Sequence, residues 1–249
     1  MYAGLRDLET RGQLEEETRG LPVIPIPLDV TKSAERDTAV AQILAEQGRI
    51  DALVNNAGLG FGGFMESVTE EELRSVLEVN FFSAWALTRA CLPSMREAGS
   101  GKIIMVSSQS GRRAMPGLGP YAASKFAMEG MSEAWRHELR PFGIWVCLVE
   151  PGVYGTDIFG RNLKLGGDFK DPASPYAAMG KRMLGLVKRQ AEQRAGDPLD
   201  VAKKIVKLMD HPRPPLRTQM GPGVRTQRLL LGILPFSFVE RAMARMLRP

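Results

Sequence analysis

Three side chains in one stretch of this sequence have the types and spacing to move a proton: Ser108, Tyr121 and Lys125. Tyr121 and Lys125 lie four residues apart in Tyr-Ala-Ala-Ser-Lys, a helix-forming segment, so on a helix they share one face. A phenol beside an ammonium has its ionised form stabilised, which lowers its pKa from the free value near ~10 toward the working pH. Such a phenol can trade a proton with a substrate oxygen. Ser108 ends an apolar, β-branched run, Ile103-Ile104-Met105-Val106, that predicts a buried parallel strand, and its hydroxyl can donate to the same oxygen. A Tyr-x-x-x-Lys pair alone is more often a surface pair. The Ser at a strand end, with further motifs in order along the chain, is what points to chemistry.

With these residues in this order, the chain resembles the classical short-chain dehydrogenase/reductase family, most of all its 17β-hydroxysteroid and retinol dehydrogenase branch, from Met1 to about Met220. The resemblance implies an α/β fold, a Rossmann-like doubly wound parallel sheet with helices on both faces, as one domain over residues 1–249. It also implies an NADP(H)-dependent oxidoreductase that interconverts an alcohol and a ketone or aldehyde on a lipophilic small molecule. Tyr121 would be the acid/base. Lys125 would lower its pKa and bind the nicotinamide ribose, and Ser108 would orient the carbonyl. Asn80, in Glu-Val-Asn-Phe, matches the family's catalytic Asn, which holds a water that relays protons to the Lys. An Asn inside a helix is unfavourable without partners, which agrees with such a role. The rival reading is a non-catalytic or regulatory relative that has lost nucleotide binding, and retention of all four residues argues against it.

The elements that must position these groups are punctuated by the cofactor motifs. Met1–Leu8 reads as a strand end and turn, where the family reads the adenosine ribose. An acidic residue there favours NAD, and an Arg accommodates a 2′-phosphate. Arg6 follows the strand end, so NADP(H) is expected over NAD(H), the alternative being an ordinary exposed charge. The Pro-punctuated strand over residues 21–28 suits a sheet edge. Asp29 after it is expected to meet the adenine amino group, to cap the amphipathic helix over residues 33–47, or both. Asn55-Asn56-Ala57-Gly58 ends the next strand. By resemblance Asn56, Ala57 and Gly58 line the adenosine ribose while an Asn side chain ties strands together. Thr69-Glu70-Glu71-Glu72 is a capping box opening the long helix that carries Asn80. After the strand over residues 144–149, Pro151, Gly152, Val153 and Thr156 match the family's nicotinamide contact, Val153 through its backbone. Residues 157–196 resemble a mobile substrate loop, and Asp197-Pro198 opens a further helix.

The family's glycine-rich loop, which lets the backbone approach the pyrophosphate and aims a helix N-terminus at it, does not occur in this sequence. The first strand and helix are therefore expected to be missing, as if roughly thirty residues of a βαβ unit preceded Met1. The chain as it stands is expected to fold poorly and bind dinucleotide weakly.

Composition narrows the rest. With 249 residues, 44% of them hydrophobic, one domain with a large core is expected. The net charge of +5 is dispersed, without basic clusters alternating with aromatics, so nucleic acid is not an expected partner. His137 and His211 stand alone, and no metal site is expected. Cys91 and Cys147 read as reduced core thiols and no signal peptide is evident, so a cytoplasmic setting is expected. No apolar run reaches the ~18 residues that span a bilayer. The tail over residues 225–249 is apolar, with Arg225, Arg228, Arg241, Arg245 and Arg248 around it. It suits packing over the cleft or a partner subunit, or alternatively contact with a membrane surface. The apolar side of the helix after Tyr121 suits core or dimer packing, and by resemblance a homodimer or homotetramer is expected.

Overall fold

The computed structural model describes residues 1–156, 158, 160, 162–167, 169–221 and 234–247. In chain order these form β1 (Tyr2–Leu5), α1 (Arg11–Glu17), β2 (Ile24–Pro27), α2 (Ser33–Gln47), β3 (Ala52–Asn55), β4 (Gly60–Gly62) and α3 (Glu70–Leu77). A π-helical turn over Glu78–Phe82 joins α3 to α4 (Ser83–Glu97), followed by β5 (Gly101–Val106), α5 (Gly119–Leu139) and β6 (Ile144–Pro151). The rest is β7 (Leu163–Leu165), α6 (Ala177–Arg194), α7 (Pro198–Asp210), β8 (Arg217–Met220) and α8 (Phe236–Leu247).

The central sheet is parallel, in the order β3-β5-β6-β8. Its middle strands are covered on both faces, and this is why their sequences are unbroken apolar runs rather than alternating ones. Ile103, Met105, Val146 and Leu148 pack against Leu87, Cys91 and Met95 of α4 and Met128 of α5. The intervening Ile104, Cys147 and Val149 pack against Val201, Ile205 and Leu208 of α7. That alternation makes the fold doubly wound. β1 and β2 form a separate parallel pair, so among the described residues β1 and β3 each have one strand neighbour. Val54, in mid-strand on β3, is accordingly 36% exposed.

Capping signals in the sequence act where expected. Thr69 and Glu72 form the reciprocal capping box of α3, and Asp197 caps α7. Asp29 does not cap α2. Lys32 occupies the N-cap, while the Asp29 carboxylate turns to the Thr31 N–H and hydroxyl at 3.0 and 2.7 Å, a local turn that an Asp side chain closes readily. The stretch over residues 157–196 holds two regular elements, β7 and α6, because Leu165, Met179, Met183 and Leu186 find an apolar partner in Phe64 and Phe169. Of the tail, Arg225, Arg228, Arg248 and residues 229–233 of the apolar run lie outside the described residues. No helix among the described residues is long and apolar enough to cross a membrane.

The turn from α5 into β6 depends on Gly143, which has φ +72°, and a Cβ built there would lie 2.1 Å from the Gly99 carbonyl oxygen. Gly143→Ala therefore combines left-handed strain of about 1–2 kcal/mol with a backbone collision. We expect thermal denaturation to show a melting temperature lower by roughly 5–10 °C. An unchanged value would mean that the turn relaxes freely.

Candidate active site

Apart from Asn80, each residue that the sequence marks for chemistry or cofactor binding ends or follows a parallel strand or lies in the first two turns of the helix beyond it. Arg6 follows β1 and Asp29 follows β2. Asn56–Gly58 follow β3, Ser108 follows β5, and Gly152–Thr156 follow β6. In open α/β sheets this edge is the ligand crevice.

Ser108 is 8% exposed, with extended backbone, and begins a 3-10 turn over Gln109–Gly111. Its Oγ accepts the Ser110 N–H at 3.1 Å, which fixes the hydroxyl while leaving its proton to donate. The recipient is Tyr121, in the first turn of α5 and 2% exposed among Phe61, Val76, Leu59 and Ile158. Lys125, one turn further and also 2% exposed, donates from Nζ to the Val106 carbonyl at 2.8 Å and stands 5.8 Å from the centroid of the Tyr121 ring.

The electrostatics differ from the expectation that Lys125 lowers the Tyr121 pKa. Burial pushes the phenol up to about 12, and the hydrogen bond from Ser108 only partly offsets it. Burial likewise pulls the Lys125 ammonium down to about 8, with the Glu129 charge acting the other way. In a dry site desolvation disfavours both charged forms at once. Tyr121 therefore holds its proton at neutral pH.

Asn80 is fully buried in the π-helical turn, where the Ser83 N–H reaches back to the Glu78 carbonyl. Such single-turn bulges recur at functional sites. Its Oδ1 accepts the Leu59 N–H at 2.9 Å, and its Nδ2 donates to the Leu59 carbonyl at 3.1 Å and to Ser124 Oγ at 3.0 Å. Ser124 in turn donates to the Tyr121 carbonyl at 2.7 Å. Asn80 thus braces the segment after β3 against the first turn of α5. The Asn that ties strand to helix is Asn55, buried and donating to Thr88 Oγ1 at 2.9 Å. The doublet Asn55-Asn56 divides the work: one side chain points inward and the next is exposed.

The cofactor candidates fall into two groups. Arg6 is exposed; the Asp29 carboxyl is held below its ordinary range chiefly by the Thr31 hydroxyl and N–H, with the charges of Lys32 and Arg6 adding to it. Exposed Asn56 and Ala57 lead to Gly58, where a built Cβ would lie 3.3 Å from Asn80 Oδ1 and 3.8 Å from Lys125 Nζ, so the backbone there passes close to the catalytic candidates. Past β6, the Gly152 N–H is engaged by the Met220 carbonyl, and the Val153 carbonyl accepts from Gly196. Pro151, Gly152 and Val153 are partly buried and Thr156 is exposed. Sequence reasoning missed Asn55 with Thr88, and it missed the buried carboxylates Glu129 and Glu150 with the partly buried Arg217 between them. Glu150 in an apolar strand and Glu129 one turn past Lys125 were the available signals.

A cavity of about 330 Å³ is lined by Gly160, Leu163, Leu165, Gly167, Phe169 and Lys170. Phe169 in its lining belongs to a run of stacked rings, Phe169 on Phe64 at 5.0 Å and Phe64 on Tyr176 at 4.6 Å between centroids.

Comparison with known proteins agrees with this geometry. Residues 5–164 match the family model described as short chain dehydrogenase. A 3-ketodihydrosphingosine reductase of Bacteroides thetaiotaomicron is 43% identical over 200 residues, covering 80% of this chain and 72% of that protein. Retinol dehydrogenase 8 of Bos taurus is 39% identical over 225 residues, covering 87% and 71%. The crystal structure of a short-chain dehydrogenase from Streptomyces avermitilis superposes with a TM-score of 0.78 at 34% identity, over 97% of this chain and 89% of that one. With parallel strands ending in these motifs and relatives of this closeness, the chain belongs to the short-chain dehydrogenase family and is an oxidoreductase.

Proposed function

We propose that the protein uses NADP(H) to interconvert an alcohol and a ketone or aldehyde on a lipophilic small molecule. The observation that carries this reading is the Ser108–Tyr121 hydrogen bond at the C-terminal end of β5, with the Lys125 ammonium behind the ring. A bound nicotinamide supplies or takes the hydride. The chain's own residues do the remainder. Ser108 donates to the substrate oxygen and orients it. Tyr121, protonated at neutral pH, passes its proton to that oxygen as negative charge develops. Lys125 supplies the positive charge that stabilises the phenolate left behind, and it reaches toward the nicotinamide ribose. Asn80 supports the proton relay by holding the backbone around Lys125.

Arg6 is the ligand for a 2′-phosphate, and Asp29 meets the adenine. Asn56, Ala57 and Gly58 line the adenosine ribose, while Pro151, Gly152, Val153 and Thr156 hold the carboxamide end. The apolar cluster of Phe64, Leu165 and Phe169 beside the cavity suits a lipophilic substrate, in keeping with the sphingosine and retinol in the names of the relatives. Exposed Phe82, Trp85 and Phe126 on the outer faces of the π-turn, α4 and α5 support a second copy as partner. Exposed Phe236 and Phe238 on α8 support peripheral contact with a membrane surface from a cytoplasmic setting.

The test is consumption of NADPH and NADH with a panel of ketones and aldehydes of increasing chain length. Arg6→Ala is expected to lower kcat/KM for NADPH by roughly fivefold, the worth of one exposed ionic contact at about 1 kcal/mol, and to leave NADH within twofold. Equal losses with both cofactors would refute the 2′-phosphate assignment. A parent active on no carbonyl would refute the function.

A further inference from the structure

On α5, Tyr121, Lys125, Glu129 and Glu133 follow one another at four-residue spacing, so they form one stripe. The first two are the acid/base pair. Glu129 is 4% exposed and Glu150, near the end of β6, is fully buried. Carboxylates are placed so deep only when cations and hydrogen bonds compensate them. One compensating cation is Arg217, at the start of β8. Its Nε donates to Glu129 Oε2 at 3.0 Å and lies 3.5 Å from Glu150 Oε1, and its Nη2 donates to Glu133 Oε2 at 2.6 Å. Gln219 donates to Glu150 Oε2 at 2.8 Å.

Lys125 is the neighbouring cation on α5, one turn before Glu129 and 2% exposed, with its Nζ donating to the Val106 carbonyl at 2.8 Å. Around Glu129 and Lys125 the titratable and charged groups are Tyr121 and Glu133 on α5, Glu150 on β6 and Arg217 on β8, with Arg112 and His137 beyond Glu133. Packing is tight. A Cβ built on Gly111 would lie 2.8 Å from Ser107 Oγ and 3.0 Å from Glu129 Cγ, and the Ser107 hydroxyl acts on the Glu129 carboxylate.

We propose that Glu129 is a positioning residue that keeps Lys125 in its ammonium form behind Tyr121, with Arg217 holding the Glu129 carboxylate in place from β8. The proposal rests on the reading of Tyr121 and Lys125 as the reacting pair. Burial of Lys125 works against its charge, and the Glu129 carboxylate is the group that opposes that loss. Without the carboxylate the ammonium gives up its proton at lower pH, so a rate that needs the ammonium declines earlier on the alkaline side.

The test reads Lys125 directly, by side-chain NMR titration of lysine-labelled protein, beside the pH profile of kcat. Glu129→Gln is expected to lower the Lys125 midpoint by roughly one pH unit, and the alkaline limb of kcat should move with it. Glu129→Asp restores the midpoint to within a few tenths of a unit of the parent, and Glu150→Gln does not lower it. If Glu129→Gln does not fold, Glu129→Met, without a polar group to desolvate, is expected to lower the midpoint at least as far. A midpoint that falls while the parent turns over no carbonyl upholds the link between Glu129 and Lys125 and refutes the enzymatic reading. An unmoved midpoint overturns the proposal whatever the activity, since a merely structural Glu129 would change the melting temperature alone.

Discussion

Tyr121→Phe is expected to reduce carbonyl turnover by about 10²–10⁴-fold, the usual contribution of a positioned general acid, while the protein stays folded. The argument begins with burial. The phenol is 2% exposed, and desolvation pushes its pKa up to about 12. At neutral pH the hydroxyl is therefore protonated, the form needed to give a proton to a carbonyl oxygen. Reduction should accordingly show no dependence on ionisation of Tyr121 across the neutral range. Oxidation needs the phenolate and should rise with pH over the same range. Phenylalanine keeps the ring among Phe61, Val76 and Ile158 and removes only the oxygen that Ser108 contacts. One net hydrogen bond is worth about 0.5–1.5 kcal/mol, so the melting temperature should fall by no more than roughly 5 °C. Steady-state kinetics in both directions, with calorimetry on the same samples, checks the claim. Turnover within tenfold of the parent would remove Tyr121 from the chemistry.

Local chemistry was legible in the sequence wherever it depended on neighbours along the chain. The Tyr121–Lys125 spacing, the capping box at Thr69 and Glu72, and the strand that ends at Ser107-Ser108 each declare themselves within a few residues. The two-sided burial of β5 and β6 is written in their unbroken apolar runs. Effects set by tertiary packing were not legible. The spacing of Tyr121 and Lys125 says that two charges can interact, and it cannot say that both are sealed from water, which is what reverses the sign for Tyr121. The π-helical turn at Glu78–Phe82 adds one residue to a helix whose pattern reads as continuous, and it turns Asn80 fully inward while Phe82 remains 46% exposed. Helix α6 escaped notice because its apolar residues are separated by Gly, Lys and Arg, and its face closes only against Phe64 and Phe169, far away in sequence. The ion cluster of Glu129, Glu150 and Arg217 joins three elements, and sequence order gives no hint that β8 lies beside β6.

Asn80→Leu should be the most destabilising single change at the site. Leucine nearly conserves the volume, so the cost lies in the hydrogen bonds. The substitution removes the partner of the Leu59 N–H, of the Leu59 carbonyl and of Ser124 Oγ, and the surroundings admit little water to replace it, since Asn80 and Ser124 are both fully buried. Each orphaned group costs about 1–3 kcal/mol, and with Ser124 still bonded to the Tyr121 carbonyl the total is about 3–5 kcal/mol. Against a typical stability of about 5–15 kcal/mol that is a large share, and a fall of roughly 10 °C in melting temperature follows. Ser124→Ala removes one of these contacts and should cost about 1 kcal/mol. Because the two residues share a bond, the double variant should be less destabilised than the sum of the single ones, the mark of a coupled pair. Activity should fall further than stability requires. At a temperature where Asn80→Leu remains folded, kcat is expected to drop by more than tenfold, since the Asn80–Ser124–Tyr121 chain braces the first turn of α5 against the segment that carries Gly58. Chemical denaturation and kinetics on the two single variants and the double one decide it. Additive stabilities with an unchanged kcat would reduce Asn80 to an ordinary buried amide.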